Sequence, residues 1–300
     1  MSYHNPVLLH ESVEGLRVKP DGAYVDLTFG GGGHSREVLS RLGKKGKLLA
    51  FDQDPDAAAN LPRDKRLAFA PANFKYLKHF LRYHGMGRVD GILADLGISS
   101  HQIDVPERGF TFRADAVLDM RMNARSDTTA AGLLNTRSRD DLARIFRSYG
   151  ELKQAGSLAT RIVRAREEKP LERTGDLERV LEPFLPRGQS QKFLAKVYQA
   201  LRMEVNGEMD ALAHMLLQTT ECVAPGGRLV ILTYHSLEDR MVKLFMRSGN
   251  LEGDVEKDFY GNPLSPWVPV NRTVITPSEE ELNENKRARS AKLRIAERTE

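Results

Sequence analysis

The chain has 300 residues, 40% of them hydrophobic and 29% charged, enough to bury a substantial core, and its single cysteine, Cys222, excludes an internal disulfide. No apolar run approaches the roughly 18 residues of a bilayer-spanning helix, and Met1–Pro6 has neither a secretion-signal nor a transit-peptide pattern, so the reading is a soluble, cytoplasmic protein. The net charge of +4 is uneven: residues 1–105 carry +2, 106–205 carry +5, 206–284 carry −7 and 285–300 carry +4, which points to a polyanionic partner for the middle third and the tail.

In chain order, Ala23–Leu27 reads as a buried strand, Ser35–Leu42 as a helix, Lys47–Phe51 as a strand, Phe74–Tyr83 as a helix and Val89–Ala94 as a strand. Apolar strands separated by helical patterns predict a largely parallel, doubly wound α/β sheet with both faces covered. Residues 106–205 show no convincing strand and several basic amphipathic helices, over Ser138–Tyr149, Leu158–Glu168 and Gln189–Val205. They read as an all-helical insert in a core made of 1–105 and 206–300. The core resumes with a helix over Glu208–Cys222, a strand over Arg228–Tyr234 and a helix from Leu237 to Arg247. Residues 249–271 read as loop, and Thr273–Thr276 with Lys292–Ala296 as a terminal strand pair. Cys222 reads as a small apolar helix residue, since no activating histidine or basic cluster adjoins it.

The strongest chemical signal is Asp26-Leu27-Thr28-Phe29-Gly30-Gly31-Gly32-Gly33-His34-Ser35, between the first strand and first helix. Glycines there permit positive φ and close approach of a ligand to backbone N–H groups at a helix start. Asp52, at the end of the second strand, stands where an acidic side chain accepts hydrogen bonds from ribose hydroxyls. Together they predict an adenosine-containing cofactor. The G-x-G-x-x-G spacing of a dinucleotide site is incomplete because Ser35 stands at its last position, and no P-loop lysine follows. An acidic start at Asp26 suits a ligand with an ammonium group, such as S-adenosylmethionine, better than a pyrophosphate.

Asp95-Leu96-Gly97-Ile98-Ser99-Ser100-His101-Gln102 leaves the carboxyl end of an internal strand, where open α/β sheets bind ligands. Tyr234-His235-Ser236-Leu237-Glu238-Asp239-Arg240 leaves a strand at the same edge. Ser236 and Asp239 are spaced as a capping pair, which leaves His235 unexplained. Within the insert, Glu107–Phe112 and Leu118–Met122 mix aromatic, basic and apolar residues. Met120 and Met122 suit a core, whereas Arg108 and Arg121 suit a phosphate or base. The tail, with Lys286, Arg287 and Arg289, is either an exposed edge or a strip that tracks phosphates. The histidines and the cysteine show no metal-ligand spacing.

These blocks, in this order, resemble the RsmH (MraW) family of bacterial methyltransferases essentially end to end. The resemblance rests on His4–Leu9, Asp26–Ser35, Asp95–Asp104, Glu107–Phe110, Leu118–Met122, Gln199–Arg202, His235–Arg240 and Arg287–Ser290. It implies a class I, Rossmann-like fold. The implied activity is S-adenosylmethionine-dependent methylation of the N4 amino group of a cytidine in 16S rRNA, with S-adenosylhomocysteine as product and the small ribosomal subunit as context. It implies cofactor contacts at Gly32, Gly33, His34, Asp52, Phe74, Asp95 and Gln102. Asp95, His235 and Ser236 are the catalytic candidates; Arg108, Phe110, Arg121, Lys286, Arg287 and Arg289 are the RNA-binding ones, with Phe110 or Phe112 as base-stacking partners. Two departures stand out: Gly31 where the family often has arginine, and the run Phe112–Val117. A nicotinamide-dependent oxidoreductase and a non-catalytic RNA-binding assembly factor are the alternatives. The sequence leaves oligomeric state open, a homodimer included.

Overall fold

The computed structural model describes residues 6–262, 264–271 and 273–299; His4 and Asn5 of the first family block lie outside them. The chain forms two compact units, one running through Gly97 and resuming at Met209, the other Ile98–Glu208. The division falls earlier than the expected 105/106 boundary. It splits the Asp95–Gln102 run, leaving Asp95, Leu96 and Gly97 with the first unit.

Seven strands build the sheet of the first unit: Ala23–Asp26 (β1), Lys47–Phe51 (β2), Leu67–Ala70 (β3), Val89–Asp95 (β4), Val223–Thr233 (β5), Trp267–Pro269 (β6) and Lys292–Arg298 (β7). Their order is β3-β2-β1-β4-β5-β7-β6. Strands β1 to β5 are parallel, and β7 runs antiparallel to both β5 and β6. The middle of the sheet is apolar on both faces: Leu48–Phe51 and Leu229–Leu232 are buried without interruption. That is the pattern of a parallel sheet covered by helices on each side. The helices include Leu9–Leu16, Gly33–Arg41, Leu77–Tyr83, Glu208–Cys222 and Ser236–Ser248.

Several details differ from the sequence reading. The helix Leu9–Leu16 and strand β3 go beyond it; β3 is only four residues, too short to display a period. Lys292–Arg298 pairs with β5 and β6, so the expected partner, Thr273–Thr276, supplies one isolated bridge, Ile275 to Leu293. Strand β6 lies in the segment read as loop. Cys222 is buried, and burial pushes its thiol up to about 11, away from reactivity.

The second unit is helical: Ala130–Thr136, Arg139–Ser148, Ala155–Glu168, Thr174–Leu181 and Ser190–Asn206. Leu134, Leu142, Ile145, Phe146, Leu158, Ile162, Leu177 and Leu201 fill its centre. Each large apolar side chain buried there contributes about 1.5–3 kcal/mol. Among the described residues its extended pairing is one bridge, Val117 to Arg173.

Candidate functional site

The connections from β1 to β3 step outward on one side of β1, and the chain then returns to β4 on its other side. A switch of this kind opens a crevice at the carboxyl ends of β1 and β4, where open α/β sheets take ligands. The glycine turn leaves β1 at that point and Asp95 ends β4 beside it: Leu27 N–H donates to Leu93 O at 2.9 Å.

Asp26 is 1% exposed and organises the turn. Its carboxylate accepts from Ser35 Oγ at 2.6 Å and from Thr28 N at 3.0 Å, and burial pushes its pKa up. The expected role of Asp26 in meeting a ligand ammonium is therefore corrected: it is enclosed and bonded internally. Gly32 has φ +75, and a Cβ there would stand 2.7 Å from the Phe29 ring; a Cβ on Gly33 would stand 2.1 Å from Pro6 Cγ. Only glycine keeps this backbone open as it enters the helix Gly33–Arg41.

Asp52 faces the same turn. Gly30 N donates to its Oδ2 at 2.7 Å and Asp54 N to its Oδ1 at 2.8 Å. Burial raises its pKa to about 6, against the pull of these bonds. Each oxygen keeps a further lone pair for a ribose hydroxyl. Asn60 Nδ2 donates to Gly30 O at 3.0 Å, a support with no sequence signal. Phe74 opens a short 3-10 turn after β3, half-buried against the sheet core. The preceding Asn73 donates to Gln53 Oε1 at 2.9 Å and so ties Phe74 to the carboxyl edge of β2.

Asp95 is the chemical centre of this edge. Its N–H donates to Thr28 Oγ1 at 2.6 Å, and its Oδ1 accepts from Tyr234 Oη at 2.7 Å. Its Oδ2 lies 3.9 Å from His34 Nδ1, and about a quarter of the side chain (24%) remains exposed. Burial pushes the carboxyl up to about 7; the tyrosine hydrogen bond opposes this and the Glu238 charge adds to it. His34 is buried and its pKa is lowered by desolvation. Its Nε2 lies 3.3 Å from Val7 O, so the neutral ring donates there and leaves Nδ1 unprotonated toward Asp95. Tyr234 was passed over in the sequence reading. The signal available was its place two residues beyond Leu232, the residue paired with Asp95 across β4 and β5.

His235, not Ser236, caps the helix Ser236–Ser248: its Nδ1 accepts from Glu238 N at 3.4 Å. Its Nε2 lies 3.2 Å from Glu238 Oε1, without hydrogen-bond alignment. The expected Ser236–Asp239 pair gives way because Asp239 binds Arg294 at 2.7 Å and Lys292 at 3.0 Å. His235 thus has a local structural task, and the Asp95 pair excludes neither it nor Ser236 from the edge.

In the second unit, Gln102 and Ser99 form a reciprocal capping box that starts the helix Ser100–Asp104. Arg108 donates to the carbonyls of Arg121 and Met122 at 3.0 and 3.2 Å. Arg121 is bidentate on Asp119 at 2.7 and 2.8 Å and also donates to Ala124 O and Ser126 O. Gly109 (φ +73) lets these segments meet, since a Cβ would stand 2.4 Å from Val117 O. The expectation that Arg108 and Arg121 project toward phosphate is corrected, because their guanidiniums knit this loop together. Phe110, 7% exposed, belongs to the helical core, as do Met120 and Met122, so it presents no face for a base. Phe112 is half-buried, edge-on to Tyr198 at 5.2 Å. In the tail, Lys286 and Arg289 are exposed and Arg287 is half-exposed on the turn Lys286–Ser290.

Several relatives that share most of this chain carry the same name. "Ribosomal RNA small subunit methyltransferase H" of Parabacteroides distasonis is 56% identical over 99% of this chain and 97% of its own length. That of Amoebophilus asiaticus is 52% identical over 99% and 96%. An rRNA methylase from Streptococcus thermophilus aligns in structure over 100% of this chain and 99% of its own, with 12% identity and a TM-score of 0.42. With the MraW methylase family model matching residues 1–299, and more than half of all positions shared with relatives end to end, the chain belongs to the MraW methylase family.

Proposed function

We propose that the chain methylates the N4 amino group of a cytidine in 16S rRNA, using S-adenosylmethionine, within the small ribosomal subunit and in the cytoplasm. The observation that carries this reading is the partly buried Asp95–Tyr234–His34 group beside a glycine turn, at the switch point of the sheet. The residues present suit the cofactor: an open glycine backbone at a helix start, a carboxylate at Asp52 with acceptor capacity left, and a neutral His34 that adds no like charge near a sulfonium. Family membership sets aside the dinucleotide-dependent alternative. No helix among the described residues is long and apolar enough to cross a membrane.

When bound, S-adenosylmethionine supplies a methyl group already activated on a sulfonium. The protein's part is positioning and electrostatics. The N4 lone pair of cytosine is delocalised into its ring, so an acceptor for the amino hydrogens favours the pyramidal nitrogen that attacks. Asp95 is that acceptor in its ionised form. Tyr234 is a positioning residue that holds Oδ1 and favours the carboxylate; His235 and Ser236 follow it directly at the same edge. A base reaches such a recessed carboxylate only when splayed from its stack. Phosphate contacts fall to Lys286, Arg287, Arg289 and exposed insert arginines such as Arg125, Arg147 and Arg187.

The test is transfer of labelled methyl from S-adenosylmethionine to small subunits lacking the modification, with mass spectrometry of the digested RNA. Label on a cytidine N4 is the expected result. No incorporation, or label on another atom, refutes the proposal.

A further inference from the structure

The rim of the sheet opposite the cofactor edge carries a concentration of positive charge that methyl transfer leaves unused. Because β1 to β4 are parallel, all four begin on this side. Residues 43–46 lead into β2 and bring Lys44 and Lys45, with Lys47 as the strand's first residue; residues 62–66 lead into β3 and bring Arg63 and Lys65. Backbone bonds fix these segments side by side: Gly43 N to Pro20 O at 2.7 Å, Lys47 N to Gly22 O at 3.0 Å and Leu48 N to Arg66 O at 2.9 Å. Arg66 also donates to the Leu42 carbonyl, joining the two basic loops.

Lys44, Lys45, Lys47, Arg63 and Lys65 are exposed, and among the described residues their side chains have no hydrogen bond or ion pair. Three acidic groups near this rim are engaged by other cations: Asp64 by Arg66, Asp90 by Lys19 and Glu221 by Lys78. Asp21 is also exposed on this side, just ahead of β1. The row of cations continues to Arg88, just ahead of β4. Uncompensated like charges on adjacent loops repel one another and set up a positive potential along the rim that attracts anions. Strands spaced about 4.8 Å apart spread these charges in a line, which suits a polyphosphate chain better than a single small anion. The loops lack the apolar side chains with which a protein enters a bilayer surface.

We infer that this rim holds the phosphate backbone of RNA at a second contact, remote from the target nucleotide. The inference rests on the rRNA reading above. Strand β4 has seven residues, so the rim lies about 20 Å from Asp95 at roughly 3.3 Å per residue. Folded ribosomal RNA spans both places, whereas a very short oligonucleotide reaches only one.

The test is the combined variant Lys44→Gln, Lys45→Gln, Arg63→Gln and Lys65→Gln, titrated with 16S rRNA across a series of salt concentrations. Loss of four phosphate contacts makes the plot of log affinity against log salt shallower by about three units. Affinity at moderate salt falls about tenfold or more, while affinity for S-adenosylmethionine, measured by calorimetry, matches the parent and shows the fold intact. A slope equal to the parent's overturns the inference. So does an unchanged RNA slope accompanied by lost binding to phosphatidylserine vesicles, which assigns the rim to a membrane. If the parent chain binds RNA but methylates none, the proposed function fails while the slope comparison still decides the rim.

Discussion

Tyr234→Phe separates a carboxylate that works from one that only fills space. In the parent, Tyr234 Oη donates to Asp95 Oδ1 at 2.7 Å, and Asp95 sits near 7. The tyrosine pKa is raised well above its usual value, so it stays a donor across the working range. A hydrogen bond to a charged group is worth about 1.5–3 kcal/mol. At about 1.36 kcal/mol per unit, its loss lifts Asp95 by roughly 1–2 units, to about 8–9. Partial exposure of Asp95 favours the lower end of that range. If Asp95 must be ionised to accept an amino hydrogen, single-turnover methyl transfer rises with pH through its pKa. The parent profile then has its midpoint near 7 and the variant near 8 or above. At pH 7 the variant is slower by about fivefold or more, and the deficit closes as the pH passes its own midpoint. A loss equal at every pH, with an unmoved midpoint, refutes the reasoning and makes Tyr234 a packing residue. A rate that falls as pH rises shows Asp95 acting protonated. Stability carries a fixed sign as well. A carboxyl raised in the folded state favours folding fully below its unfolded value, about 3.9, and loses that advantage as pH rises through 7. Asp95→Asn removes this contribution to the slope in thermal melts, and Tyr234→Phe extends it to higher pH.

Asp52→Ala weakens S-adenosylmethionine binding by about 1–3 kcal/mol if a ribose contact is lost, and parent binding falls as pH drops below about 6, where Asp52 takes up a proton. Calorimetry reading the same affinity in the variant removes Asp52 from the site. Gly32→Ala forces a side chain into left-handed backbone at about 1–2 kcal/mol and against the Phe29 ring; melting and cofactor affinity that both match the parent refute the cradle. Arg121→Ala lowers the melting temperature, with about 1 kcal/mol lost as its partly exposed acceptors turn to water, and leaves the salt dependence of RNA binding as it was. A shallower salt slope there returns Arg121 to the RNA footprint. Lys286→Gln with Arg289→Gln does the reverse, reducing the slope by about 1.5 units without a change in melting.

Most core strands and helices, the helical character of the middle third and the glycine turn with Asp52 were legible in the sequence because their signals are local. Continuous apolar runs mark doubly buried strands, helical spacing marks the insert, and glycines mark backbone that no side chain tolerates. Strand β3 and the destination of β7 were not legible, since four residues hold no period and an antiparallel partner is chosen by register with distant strands. The same limit governed the side chains. An arginine beside an aromatic reads alike whether it reaches for phosphate or closes a loop, and only tertiary structure showed Arg108 bonded to the carbonyls of Arg121 and Met122. Tyr234 and Asp95 are 139 residues apart and become a pair solely because β4 and β5 lie side by side. Sequence determined which groups the protein possesses, and the fold, by withdrawing some from water and bonding others, decided which of them remain available for chemistry.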